Sequence, residues 1–74
     1  MNAYDLIRQE RERQDEKWGE QNHLPSMWML IAQEEMGEVA KAILERKPDE
    51  YRQELIQAAA VLTAWLECEL RRIP

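Results

Sequence analysis

The chain has 74 residues, with 15 acidic against 10 basic side chains and a formal net charge of −5, which limits it to one domain (1–74) and argues against nucleic acid as a partner, with no basic patch visible in the sequence. Such a short chain buries only a little over half of its unfolded surface, so its core is marginal unless association, a metal or a disulfide adds to it. The single cysteine, Cys68, rules out an intrachain disulfide and points to a reducing, cytoplasmic setting; no apolar run reaches the roughly 20 residues that span a bilayer, and the N-terminus carries no secretory pattern.

Helix formers dominate, and the few glycines and prolines divide the chain into three helical stretches, predicting an all-α fold of three antiparallel helices completed by oligomerisation. Asn2 is suited to cap a first helix running to about Lys17, with Asp5 at the positive end of its dipole. Its apolar content is thin: Tyr4, Leu6, Ile7 and then Trp18. Gly19 to Pro25 cannot hold a helix, since it combines a flexible residue, turn formers and a proline that disfavours helical geometry at Leu24. An aromatic beside amides is how a flat base is held, which makes Trp18, Gln21 and His23 candidate substrate contacts next to this loop. His23 has no second ligand at metal spacing and reads as a loop residue or minor contact.

Ser26 is the expected cap of a second helix from Met27 to about Arg46, about 30 Å long. Trp28, Met29, Ala32, Met36, Val39, Ala40, Ile43 and Leu44 form one wide apolar arc on it. Trp28 therefore reads first as core and second as a substrate contact. Glu35 lies at the border of the arc and Glu38 on the same side, which predicts two inward carboxylates, whereas Glu34 shares its side with Lys41 and Glu45. Lys47-Pro48-Asp49 breaks the chain, and a third helix runs on to about Arg72, antiparallel to the second. From Leu55 to Leu66 its only polar residues are Gln57 and Thr63, the signature of a helix buried on nearly all sides.

Glu35 with Glu38, and Glu54 with Gln57, are pairs three apart on their helices, and each pair projects from one face. Folding about Pro48 brings them to similar levels, where hard oxygen donors suit Mg²⁺ or Mn²⁺ with positions left for water and phosphates. An uncompensated buried carboxylate costs several kcal/mol, which a cation would offset. The plain alternatives stay open: a Glu-Glu-x-x-Glu block is commonly a solvated face, Glu54 can serve a helix dipole, and Gln57 can be an amide bonded inside an oligomer core. Trp65 and Cys68 read as core. Lys17, Lys41, Arg46 and Arg52 are available to phosphates without a spacing that chooses among them; Lys41 joins the candidate substrate contacts.

Glu34-Glu35-x-x-Glu38 followed by Glu54-x-x-Gln57 resembles the Glu-Glu-x-x-Glu…Glu-x-x-Asp signature of MazG-like nucleoside triphosphate pyrophosphohydrolases. The run from Glu10 through Lys17-Trp18-Gly19-Glu20-Gln21-Asn22-His23 is similar to text in short bacterial and phage-type members, so the likeness extends from about Glu10 to Glu67. It implies an all-α enzyme that oligomerises through helices, binds Mg²⁺ and converts a nucleoside triphosphate to the monophosphate and pyrophosphate. Carried over by position, Glu35, Glu38 and Glu54 are metal ligands, Gln57 stands where the family has Asp, and Glu34 and Glu38 are the catalytic candidates, Glu34 either by orienting the attacking water or by steadying a metal ligand from behind. Glutamine offers one neutral oxygen and removes a charge, which weakens one metal position. The chain is short for the family, with no fourth helix after Pro74, so a homodimer or homotetramer is expected to supply the missing packing. The competing expectation is a non-catalytic association module, or a relative that binds nucleotide without turnover.

Overall fold

The structure, a computed structural model, describes residues 1–72, which form three α-helices and no strand. Helix α1 spans Ala3–Trp18. Its start follows from two side chains: Asn2 Oδ1 accepts from the Asp5 amide at 2.9 Å and Asp5 Oδ2 accepts from the Asn2 amide at 3.0 Å, a reciprocal cap that satisfies two donors. It ends at Gly19, whose φ of 74° is open to glycine at little cost and whose N–H bonds the Asp15 carbonyl at 2.7 Å.

Helix α2 spans Pro25–Leu44, two residues earlier at each end than the sequence suggests. Ser26 is not its cap. Leu24 holds that position with no side-chain bond, its carbonyl accepting from Met27 and Trp28 at 3.0 and 3.1 Å, and Pro25 enters the first turn where its missing N–H costs nothing. The far end closes in a Schellman arrangement: Arg46 takes a left-handed φ of 56°, its N–H bonds the Ile43 carbonyl at 3.1 Å, and the Lys47 N–H bonds the Ala42 carbonyl at 3.0 Å. Residues 45–47 alone join it to α3, Pro48–Arg72, which carries Asp49 and Glu50 in its first turn and Arg71 and Arg72 in its last, each sign opposite to the dipole end it occupies.

Trp28 and Ala32 near the start of α2 pack with Val61, Ala64 and Cys68 in the second half of α3, and Ile31 and Trp65 close over them. Helix α1 lies on α3, tied across by Arg11 Nε to Glu67 Oε1 at 3.2 Å, and has no comparable contact with α2. A cleft therefore remains between α1 and α2.

The apolar arc expected on α2 is narrower in the structure. Trp28, Ala32, Val39 and Ala42 are buried and, with half-buried Glu35 between Ala32 and Val39, follow the four-then-three spacing of a single seam, whereas Met29, Met36, Ala40, Ile43 and Leu44 are exposed. Helix α3 is likewise not buried all round: Ala58, Ala60, Val61, Ala64 and Cys68 face inward while Leu55, Leu62, Leu66 and Leu70 face out. One chain offers α3 two neighbours, and two neighbours cover only part of a helix. No helix among the described residues is long and apolar enough to cross a membrane.

Candidate functional site

The cleft has a volume of about 430 Å³, the scale of a small-molecule site, and all three helices and the α1–α2 connector contribute to it. Ile31, Glu34 and Glu35 enter from one flank of α2, where residues three and four apart project together, and Gln57 enters from the facing part of α3. Opposite them α1 presents Glu10, Arg13 and Lys17. Trp18, Gln21 and His23 close one end.

Glu35 is the unusual group. It lies on the α2 seam between Ala32 and Val39, it is half-buried, and its Oε2 is shielded from water with no hydrogen-bond partner. Burial, followed by the neighbouring charges of Glu54, Glu34, Glu38 and Glu10, raises its carboxyl above the usual carboxylate range. Among the described residues no cation lowers it again.

Glu38 and Glu54 line a second cavity of about 90 Å³ together with Lys41, Glu45, Lys47 and Glu50. The hairpin thus pairs the two sequence blocks crosswise, Glu35 with Gln57 in the large cleft and Glu38 with Glu54 in the small one. The expected division into inward Glu35 and Glu38 and outer Glu34 is not what forms: Glu34 and Glu38 are both exposed, and only Glu35 is drawn into the seam. Glu38 lines the small cavity with Lys41 and Glu45, while Glu34 lines the large cleft. Among the described residues no three His, Cys, Asp or Glu side chains stand close enough to form a ready metal cage. The donor set nevertheless suits a hard cation, because the shielded, unpartnered oxygen of Glu35 sits among carboxylates that repel one another without one.

Of the aromatic candidates, Trp18 is exposed at the cleft end, with Lys17 Nζ 4.8 Å from its ring centroid. Trp28 is 1% exposed and belongs to the core, so its indole is removed from any substrate. The His23 ring meets it edge-on with centroids 4.9 Å apart, and His23 Nε2 lies 3.2 Å from Gln21 Oε1. Lys41 lines the small cavity and not the main cleft.

Glu10 is the residue that sequence reasoning missed. It is 5% exposed, and it is held by Arg13 through two bonds of 2.9 and 2.7 Å and by Gln14 Nε2 at 3.0 Å. The Arg13 bonds outweigh the opposing effect of burial and hold its carboxyl below the usual range. The available signal was the spacing of Glu10, Arg13 and Gln14 at i, i+3 and i+4. Comparison of the chain with protein-family models, with curated proteins and with solved structures gives no match in any of the three.

Proposed function

We propose that the chain is a Mg²⁺-dependent nucleoside triphosphate pyrophosphohydrolase, as the resemblance of its acidic blocks implies. One observation carries the reading: a carboxylate oxygen shielded from water and left without a partner, Glu35 Oε2, at the border of a ligand-sized cleft with further acids around it. A buried charge of this kind is costly until a cation or a proton meets it. Glu35, Glu38, Glu54 and the amide oxygen of Gln57 would hold Mg²⁺, with Mn²⁺ as the alternative. When bound, the ion supplies charge neutralisation for the phosphates and a more acidic water. Glu34, exposed and one residue from Glu35, would orient the attacking water or steady a metal ligand from behind, and Trp18, Gln21 and His23 would offer stacking and amide contacts to a base. The cations of the opposite wall, Arg13 and Lys17, would face the phosphate tail.

The exposed apolar residues of α2 and α3 support self-association, a homodimer or homotetramer in which further helices complete the bundle. A cytoplasmic location fits a free, buried Cys68.

Incubation with Mg²⁺ and a panel of ribo- and deoxyribonucleoside triphosphates is expected to release monophosphate and pyrophosphate, with loss of product in Glu38→Ala. Absence of product with every triphosphate, together with unchanged nucleotide binding by Glu38→Ala, removes the proposal. A second reading, a non-catalytic or degenerate nucleotide-binding and association module, is favoured by Gln57 and by the lack of a ready three-acid cage among the described residues. Gln57→Asp separates the two: a large gain in metal affinity and turnover marks a degenerate site, and little change marks glutamine as a working ligand.

A further inference from the structure

The connector from Gly19 to Leu24 supplies Gln21 and His23 to the cleft, yet it has little structure of its own. Gly19 N–H closes α1 and the Leu24 carbonyl opens α2, and among the described residues no backbone hydrogen bond joins residues 20–23 to one another or to a helix. Their polar groups are met from the last turn of α3. Arg71 Nη2 donates to the Gln21 carbonyl at 3.0 Å and to Asn22 Oδ1 at 2.9 Å, its Nε donates to the same Asn22 oxygen at 3.2 Å, and Glu20 Oε1 lies 3.6 Å away. Arg72 Nη2 donates to the His23 carbonyl, and the Cys68 thiol points at the same oxygen from 3.9 Å. Partners 49 and 50 positions apart in the chain thus fix a segment that would otherwise be a solvated coil.

We propose that Arg71 and Arg72 are positioning residues which hold the 19–24 connector in its ligand-binding shape, so that the end of α3 governs recognition of the base without taking part in metal binding. Planar guanidinium groups suit the task, because one fork spans a carbonyl and an amide oxygen at once, which an ammonium cannot do with the same rigidity. Arg71 shares the main cleft with Glu35 and Gln57, so the separation of the clamp from metal binding rests on Glu38 and Glu54, which line a different cavity that neither arginine borders. The substrate side of this inference rests on the pyrophosphohydrolase reading; the clamp itself does not.

The test uses the full chain and three readouts: backbone order parameters from NMR relaxation, steady-state turnover of the best triphosphate, and Mn²⁺ binding without nucleotide. In Arg71→Ala/Arg72→Ala, order parameters at residues 20–24 are expected to fall from about 0.85 to below about 0.6 while α2 keeps the parent's values. KM is expected to rise by about tenfold with kcat and Mn²⁺ affinity unchanged, the pattern of lost substrate contacts. Asn22→Ala, which removes an acceptor and leaves α3 intact, should reproduce part of both effects, and Arg71→Lys should restore less than the parent. Unchanged order parameters in the double variant overturn the clamp. A rise in KM matched by an equal loss of Mn²⁺ affinity overturns the separation of clamp from metal site. A parent that turns over no triphosphate refutes the enzyme reading and the substrate side with it, while the order parameters still decide whether the arginines hold the connector.

Discussion

Glu10 on α1 and Glu35 on α2 both border the cleft and both are withdrawn from water, yet donors surround the first and acids surround the second. Three hydrogen bonds from Arg13 and Gln14 replace the water that Glu10 gave up on folding. Glu35 has an oxygen with no replacement at all. Equal chemistry in unequal surroundings separates a carboxylate that serves the fold from one that the fold tolerates. A group of the second kind is where a ligand has the most to gain by binding.

The contrast breaks first in activity. Glu35→Met, which keeps side-chain length and removes the charge, is expected to lower turnover by at least about 100-fold, since groups only one step removed from a metal already reach that loss and Glu35 is proposed as a ligand itself. The same assay on Glu10→Ala should show a much smaller loss. Stability reverses the order: Glu10→Ala is expected to cost about 2 kcal/mol, since bonds to a charged group are lost, whereas Glu35→Met should stabilise the metal-free protein by roughly 1 kcal/mol as an unpaired buried charge disappears. Urea denaturation of both variants measures this, and a loss for Glu35→Met as large as that for Glu10→Ala would sink the comparison.

The smallest effect is in the pH dependence, and the two acids bend it in opposite senses. Glu10 has a lowered folded pKa, so its stabilisation is present above its unfolded value, near 4.5, and is lost as pH falls through the folded one. Glu35 has a raised folded pKa, so its contribution is complete below the unfolded value and is lost as pH rises through the folded one. The metal-free parent should therefore lose stability on the alkaline side of 4.5 to a degree that Glu35→Met does not. Mg²⁺ affinity should increase over the same interval, because the ion competes with a proton on Glu35.

The helices were legible because their signals are local. Asn2 with Asp5, the broken run from Gly19 to Pro25, and Pro48 each act within a few residues. Ser26 misled because Pro25 enters the first turn without any side-chain cap. The width of the α2 arc misled for another reason: Met29, Met36 and Ile43 are apolar, but hydrophobicity alone does not say whether a neighbour within the same chain will cover them. Glu54 and Gln57 share a helix face by their spacing alone, while their crosswise division between two cavities depends on the register of α2 against α3. Glu10 was hidden in a run of alternating charges whose inward member is chosen only when α1 docks on α3. The arginine clamp spans too much of the chain for spacing to reveal it.

The closure of the connector over α3 also sets a chemical lifetime. Cys68 is the chain's single thiol, fully buried, with the His23 carbonyl and Arg72 packed against its sulfur. An alkylating reagent or oxidant reaches that sulfur only when the last turn of α3 and the connector part, a local opening that need not involve the rest of the molecule. Its rate of covalent labelling in the folded protein therefore counts how often that corner comes undone, and residence of a ligand against the connector should slow the count.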